Sequence, residues 1–163
     1  MTLTFATNAP KEDRVRAQTK PEINQRIDTA LERRLRFYAA QDKHAMTERL
    51  EELDREWDIE RVLEANAASL GLLGLFLGST VSRKWFLLPV AVTGFLLQHA
   101  IQGWCPPVPL LRNLGVRTRL EIEQERYALK LLRGDLDNLG RDDAGRLNNP
   151  QQLVASLRQG VPL

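Results

Sequence analysis

The chain has few of the residues that build disulfide frameworks, metal sites or acid–base catalytic groups. Its 163 residues include one cysteine, Cys105, and two histidines, His44 and His99. One cysteine excludes an internal disulfide framework, and His99 with Cys105 falls far short of the ligand count of a zinc site. The sequence holds no phosphate-binding glycine loop, Ser/His/Asp set or metalloprotease motif. We therefore predict that the protein is not an enzyme and needs no cofactor and no metal.

A strong excess of either charge is also missing, because the net charge is only +2. The sequence has no basic face with interleaved aromatic residues, so we predict no nucleic-acid partner. The N-terminal region is polar, and the first apolar run starts about 60 residues in. We therefore expect no cleaved signal peptide and expect the apolar region to be retained.

Charge is almost absent from the middle of the chain. Between residues 62 and 111, only three residues are charged, namely Glu64, Arg83 and Lys84. The uncharged runs 65–81 and 85–104 approach the length that spans a hydrocarbon core of about 30 Å. They are separated by a short polar turn, which predicts two transmembrane helices at about 62–81 and 85–104. Tryptophans at both ends of the second run resemble the aromatic belt of membrane interfaces.

The charged arms on either side have a helical period. Apolar residues recur at steps of three and four, which predicts amphipathic helices with a solvated, charged back face. The spacings Thr19–Glu22 and Thr118–Glu121 are those of capping boxes and predict helix starts. Two stripes would form the apolar faces of the N-terminal arm: Ile27, Leu31, Leu35 and Tyr38, and Met46, Leu50, Leu53 and Trp57. These faces would contact the membrane surface or a cytoplasmic protein partner, or pack against each other.

The predicted fold class is all-α, a two-helix transmembrane hairpin flanked by amphipathic cytoplasmic helices. We divide the chain into a disordered lead (1–18), an amphipathic arm (19–58), the hairpin (59–118) and a helical tail (119–163). The tail begins with a helix to about Arg133, which Gly134 would end. Asn149-Pro150 would start a further short helix.

Small and amide side chains suggest how the hairpin packs. We predict that the stripe of the first helix meets one face of the second, with the glutamines bonding across or to backbone. The alternative is that the glycines reflect only the high glycine content of membrane helices. The two faces comprise Ala67, Gly71, Gly74 and Gly78, and Ala91, Gly94, Gln98 and Gln102.

Two polar residues near the end of the second span are candidates for function. An ionisable group in an apolar helix suggests a metal or proton site, so His99 is one candidate; the alternative is an interfacial or interhelical hydrogen bond. Cys105 lies just beyond the span, where no neighbouring cation or helix N-terminus would lower its pKa, so we expect a structural or interfacial thiol.

The distribution of basic residues predicts orientation. Six arginines flank the hairpin and only two basic residues lie in its turn, which favours cytoplasmic termini. The flanking residues are Arg49, Arg55, Arg61, Arg112, Arg117 and Arg119.

Residues 59–118 resemble the YgaP-like transmembrane domain, a bacterial inner-membrane family largely of unknown function. The resemblance rests on Ile59-Glu-Arg61, Gln102-Gly-Trp-Cys-Pro106 and Leu114-Gly-Val-Arg-Thr118, and 125–135 resembles a tail of some proteobacterial members. It implies a two-helix membrane hairpin with both termini cytoplasmic, often dimeric. Some members carry a rhodanese domain linked to sulfur-compound handling, but the arm before residue 59 has no cysteine to serve as its nucleophile.

We therefore predict a small multi-pass protein of the bacterial inner membrane. It would bind the lipid bilayer, act as an anchor or scaffold and self-associate into a homo-oligomer. One alternative is an oligomeric transporter or channel for a small anion or sulfur compound, and a holin-like pore is a weaker one. A soluble helical bundle that buries both apolar runs is the remaining alternative.

Overall fold

The computed structural model describes residues 13–135. Within this range the chain forms α-helices and one 3-10 turn, and no strand, which confirms the all-α prediction. The helices are α1 (Arg14–Ala17), α2 (Pro21–Ala39), α3 (Lys43–Arg55), α4 (Ile59–Thr80), α5 (Leu87–Gln102), α6 (Val108–Asn113) and α7 (Arg119–Arg133). The 3-10 turn, Arg83–Phe86, joins α4 to α5.

The two apolar runs form an antiparallel pair, α4 and α5. Helix α4 begins earlier than expected because the Asp58 carboxylate accepts a hydrogen bond from the backbone N–H of Arg61, at 2.8 Å. Helix α5 ends at Gln102, before the predicted Trp104, because Gly103 takes a left-handed conformation (φ 73°). The hairpin of the prediction is present, with its spans shifted by a few residues.

The arm helices pack against the tail helix and form a bundle, which we call the α2–α3–α7 bundle. Its core contains Leu50 and Leu53 of α3 with Ile122 and Leu129 of α7, and Leu35 packs against this cluster. Two alternatives remained open for the arm stripes. The described structure packs Leu50 and Leu53, with Leu35 and Tyr38, between helices, whereas Trp57 at the end of the second stripe is 47% exposed.

A second core lies at the base of the hairpin. It consists of five buried residues from α1, α4, α6 and the segment before α6: Val15, Ile59, Leu63, Cys105 and Val108. The prediction of disorder through residue 18 is therefore wrong for residues 13–18, because α1 carries Val15 into this core. Residues 1–12 lie outside the described range.

Helix α6 was not predicted, because three prolines precede or enter it. Pro107 is the N-cap residue and Pro109 lies in the first turn, where a helix needs no backbone donor. The prolines follow the end of α5 and permit a new helix to begin within a few residues.

The two predicted capping boxes have different outcomes. The box of Thr118 and Glu121 is confirmed, with both reciprocal bonds present. The one at Thr19 is wrong: α2 starts at Pro21, and the Thr19 hydroxyl instead donates to the Val15 carbonyl at 2.7 Å. Gly134 ends α7 as predicted. The helix predicted after Asn149 lies outside the described residues.

Candidate functional site

Two helical stretches contain a segment long and apolar enough to cross a membrane. They are Lys43–Thr80, in which the apolar segment belongs to α4, and Arg83–Gln102, which includes α5. Most of the large apolar side chains of this hairpin are exposed. The most exposed are Leu72, Phe76, Leu87, Val90, Leu97 and Ile101, each 62–71% exposed.

The contact between α4 and α5 depends on two of the predicted glycines. A Cβ atom at Gly74 would lie 2.5 Å from Pro89 Cδ and 3.1 Å from Leu88 Cβ. At Gly78 it would lie 2.8 Å from the Phe86 ring. The absence of side chains at these positions lets the start of the second helix approach α4 closely.

The partner predicted for this glycine stripe is wrong. Neither Gly71 nor Gly94 has an atom of the opposite helix within 4 Å of its would-be Cβ, and Ala91 is exposed. The residues that Gly74 and Gly78 meet lie near the connecting turn, at 86–89, rather than at Ala91 and Gly94. Ala67 is half-buried. The glutamines pair along their own helix, Gln98 Nε2 to Gln102 Oε1 at 3.5 Å.

The polar side chains of α4 bond back to their own helix. Asn66 donates to the Val62 carbonyl, Ser69 to the Ala65 carbonyl, and Ser79 and Thr80 to carbonyls one turn earlier, at 2.8–2.9 Å. Such bonds satisfy a polar side chain inside an apolar helix without a partner helix.

His99 joins the end of α5 to the start of α4. Its Nε2 lies 2.8 Å from Glu60 Oε2, and its side chain is only 5% exposed. The Nδ1 atom is buried and has no hydrogen-bond partner among the described residues. The interhelical hydrogen bond that the sequence allowed for His99 is therefore present, at the base of the hairpin.

A small cavity lies beside this pair. Its volume is about 240 Å³, and its polar lining comprises Asp13, Arg14, Glu60, His99, Thr118 and Arg119. The Arg14 guanidinium donates to the Ala100 carbonyl at 2.6 Å and so caps the C-terminal end of α5. Among residues 13–135, no group of three or more His, Cys, Asp and Glu side chains is arranged to hold a metal ion.

Cys105 is part of the core rather than of the surface. It is 3% exposed and packs with Val15, Ile59, Leu63 and Val108. Burial raises the pKa of its thiol, and the charge of Glu60 acts in the same direction, against a lowering effect of the backbone hydrogen bond with Val108. A thiol in this environment is a poor nucleophile.

The sequence interpretation missed a buried ion pair at the junction of the hairpin and the bundle. Arg112, on α6, is fully buried. Its Nη1 and Nη2 atoms donate to the two carboxylate oxygens of Glu121, both at 2.7 Å. Arg16 donates to the same carboxylate at 2.6 Å. Burial would raise the pKa of Glu121, but hydrogen bonding and charge from Arg112, with a smaller contribution from Arg16, lower it below its usual value.

A second buried carboxylate, Glu125, lies one turn further along α7. It is fully buried and accepts hydrogen bonds from Arg34 of α2, Arg49 of α3 and Arg117, which precedes α7. Arg117 also pairs with Glu56 at 2.6 Å. Burial alone would raise the pKa of Glu125. The hydrogen bond from Arg49 and the charge of Arg117 outweigh this effect and lower the pKa below its usual value.

These ion pairs correct one expectation. The charges of the arm were interpreted as a solvated back face, but Arg34 and Arg49 point into the bundle. No local spacing marks them, because their partner is 76–91 residues away in sequence. The only available sign was an acidic pair, Glu121 and Glu125, spaced four apart on the same side of α7 as Ile122 and Leu129.

No protein family, curated protein or solved structure matches this chain. The resemblance of residues 59–118 to the YgaP-like domain is untested and stays a prediction.

Proposed function

We propose that the protein is a small integral protein of the bacterial inner membrane. In this proposal the hairpin of α4 and α5 is inserted in the lipid bilayer and anchors the α2–α3–α7 bundle at the cytoplasmic surface. The bundle then serves as an interaction or scaffold module, and the protein self-associates.

One observation supports the anchor above all others: the hairpin exposes most of its large apolar side chains, while the glycines at its helix contact are buried. Gly74 and Gly78 are buried, while Leu72 and Phe76, on the same helix, are 68% and 64% exposed. In water, each exposed leucine or phenylalanine forgoes roughly 1.5–3 kcal/mol of burial free energy. In a bilayer the same side chains face lipid, and both helices satisfy their backbone bonds internally.

The soluble alternative requires apolar surface that would cover the hairpin. The core of the described bundle is not available for this, because Leu50, Leu53, Ile122 and Leu129 already pack on one another. The core at the base of the hairpin is likewise packed on itself, around Ile59 and Leu63.

The transport alternative requires polar groups along a path through the membrane. The hydroxyl and amide groups of α4 instead bond to their own helix, and the His99–Glu60 pair lies at one end. This arrangement favours an anchor over a channel within the described chain, and a flux assay in liposomes with purified protein distinguishes the two.

The bundle carries exposed apolar residues suited to a protein contact. On α7, Tyr127, Leu131 and Leu132 are 45–61% exposed, and Phe37 of α2 is 59% exposed. We place the scaffold role on this surface, with a second copy of the chain or a cytoplasmic protein as partner.

Membrane insertion is tested by fractionation with a matched pair of substitutions. Leu72→Arg introduces a charge near the middle of α4, and Phe37→Arg introduces the same charge at a similarly exposed position of the bundle. We expect wild type and Phe37→Arg to stay in the alkaline-washed membrane pellet and to need detergent for release. Leu72→Arg should leave the pellet at least in part, since a mid-span arginine costs about 2.5–3.5 kcal/mol. Native chain that remains monodisperse in buffer without detergent refutes the anchor.

Orientation and self-association need separate measurements. Reporter fusions at both termini should show cytoplasmic locations, and chemical crosslinking in native membranes should give a dimer or larger species. A monomer under crosslinking conditions that capture a known membrane dimer would remove self-association and leave the anchor intact.

A further inference from the structure

Helix α6 has one side fixed inside the protein and the other side exposed. Val108 and Arg112 are 1% and 0% exposed, and the Arg112 guanidinium is held by Glu121. Leu110 and Leu114 are spaced four apart, so they lie on one side of the helix, and they are 62% and 73% exposed. The buried ion pair prevents α6 from turning these leucines inward.

This helix lies at the base of the hairpin. Val108 and Cys105 share a core with Ile59 and Leu63, which belong to the first turns of α4. Residues 103–107 alone separate α6 from the end of α5. The exposed leucines therefore belong to the helix that follows the base of the hairpin, and Ile101, near the end of α5, is exposed as well.

Arginine side chains surround the same region. The Arg26 guanidinium donates to the Asn113 carbonyl at 2.7 Å, next to Leu114, and Arg14 caps the end of α5. Arg119 is exposed just beyond α6. Leucines on one side of a short helix with arginines around them are typical of helices that lie in the interface of an anionic membrane.

We propose that α6 is an interfacial helix whose Leu110 and Leu114 insert into the boundary between lipid headgroups and acyl chains. This inference rests on the proposed function, since it assumes that the hairpin beside α6 is in the bilayer. Two leucines are too small a patch for a stable protein interface, which buries about 800 Å² on each partner. They are sufficient as a second membrane contact that continues the lipid-facing surface of α5 and fixes the height of the bundle above the membrane.

The test places a single environment-sensitive fluorophore at chosen positions of the full chain. In a Cys105→Ala background, a cysteine is introduced in place of Leu114, of Phe95 in the middle of α5, or of Glu51 on the exposed side of α3. Each labelled protein is reconstituted in vesicles of phosphatidylcholine and phosphatidylglycerol. Brominated lipids carry the quencher either near the headgroup or near the chain end.

We expect the label at position 114 to be quenched about twofold more by shallow than by deep bromine. The label at position 95 should show the reverse preference, and the label at position 51 should show no quenching. If position 95 is quenched and position 114 is not, α6 does not contact lipid, and the inference fails while the anchor stands. If position 95 is also unquenched, the proposed function itself fails.

Two further outcomes are informative. A blue-shifted but unquenched label at position 114 means that protein, a second copy or another partner, covers α6, which overturns the lipid assignment. Because Cys105 lies in a core, the pattern must repeat in a Cys105→Ser background, and disagreement between the two backgrounds counts against the inference.

Discussion

The guanidinium of Arg112 and the carboxylate of Glu121 form a two-pronged ion pair that is closed to solvent. Both contacts are 2.7 Å, and the side chains are 0% and 3% exposed. The pair links α6, at the base of the hairpin, to the first turn of α7. It thereby couples the base of the hairpin to the bundle.

Neutralising one partner of this pair should be strongly destabilising. Glu121→Gln leaves the shape of the side chain but removes the charge that offsets the buried Arg112, and we expect a loss of about 3 kcal/mol in the free energy of unfolding. Thermal unfolding of detergent-solubilised protein, followed by circular dichroism, measures the change.

The control is Glu123→Gln, on the same helix turn. Glu123 is 34% exposed and pairs only with Arg126 within α7. Its substitution should change stability by less than about 0.5 kcal/mol. Equal effects of the two substitutions would show that the Arg112–Glu121 pair does not hold α6 to α7.

Acid should destabilise the bundle because Glu121 and Glu125 both have lowered pKa values in the folded protein. Between the folded value and the ordinary value of 4.5, the unfolded chain binds more protons than the folded chain. The stabilisation is therefore complete above pH 4.5 and is lost progressively as the pH falls below it. Unfolding midpoints measured from pH 7 down to pH 3 should fall most steeply in this range.

The variant Glu125→Gln isolates the contribution of one carboxylate to this acid sensitivity. It should be less stable at pH 7, since Arg34, Arg49 and Arg117 lose their common partner, and its midpoint should depend less on pH below 4.5. A pH profile parallel to that of the wild type would assign the acid sensitivity to other groups.

The sequence predicted the parts of the fold that have a local signal. The uncharged runs marked α4 and α5, and the box of Thr118 and Glu121 marked the start of α7. The helical period and the capping boxes depend on residues within a few positions of each other, so a single sequence is enough to recognise them.

The features that were missed depend on distant partners. Whether Arg34 is solvated or buried is decided by Glu125, 91 residues away. The face by which Gly74 meets α5 is decided by Phe86–Pro89, where the 3-10 turn brings the chain back early. Val15 is buried because α4 and α6 surround it, although its own segment has no helical period.

The α4–α5 contact predicts opposite results for two glycines one turn apart. Gly74→Ala places a methyl group 2.5 Å from Pro89 Cδ, so we expect overpacking to reduce stability by about 1–3 kcal/mol. Gly71→Ala meets open space, and alanine favours the helix by up to about 1 kcal/mol. Thermal unfolding in detergent compares the two. A neutral Gly74→Ala would mean that the helices pack by another face.

Alanine substitutions at Gly103 and Gly115 distinguish the effect of backbone strain from the effect of a tertiary contact. Both have positive φ, 73° and 88°, so alanine at either position costs about 1–2 kcal/mol in backbone strain. Only at Gly103 would the new methyl group overlap Arg14, the first residue of α1. We expect hydrogen exchange of the α1 amides to accelerate in Gly103→Ala and to stay at the wild-type rate in Gly115→Ala. Equal exchange in both would show that α1 is not held against the end of α5.

Cys105 should react with thiol reagents only when the core around it opens. The thiol is 3% exposed and burial raises its pKa, so both access and the thiolate fraction are low. The reference is a cysteine introduced at the exposed position Glu51 in a Cys105→Ala chain. In detergent at pH 7 we expect maleimide to label Cys105 at least about 100-fold more slowly than this reference cysteine, because labelling of a buried thiol follows the population of the open state. Leu63→Ala, which removes a neighbour from the same core, should accelerate labelling of Cys105, whereas Leu131→Ala, at an exposed position of α7, should not. Fast labelling of the native chain would place Cys105 at the surface and separate α6 from the hairpin base.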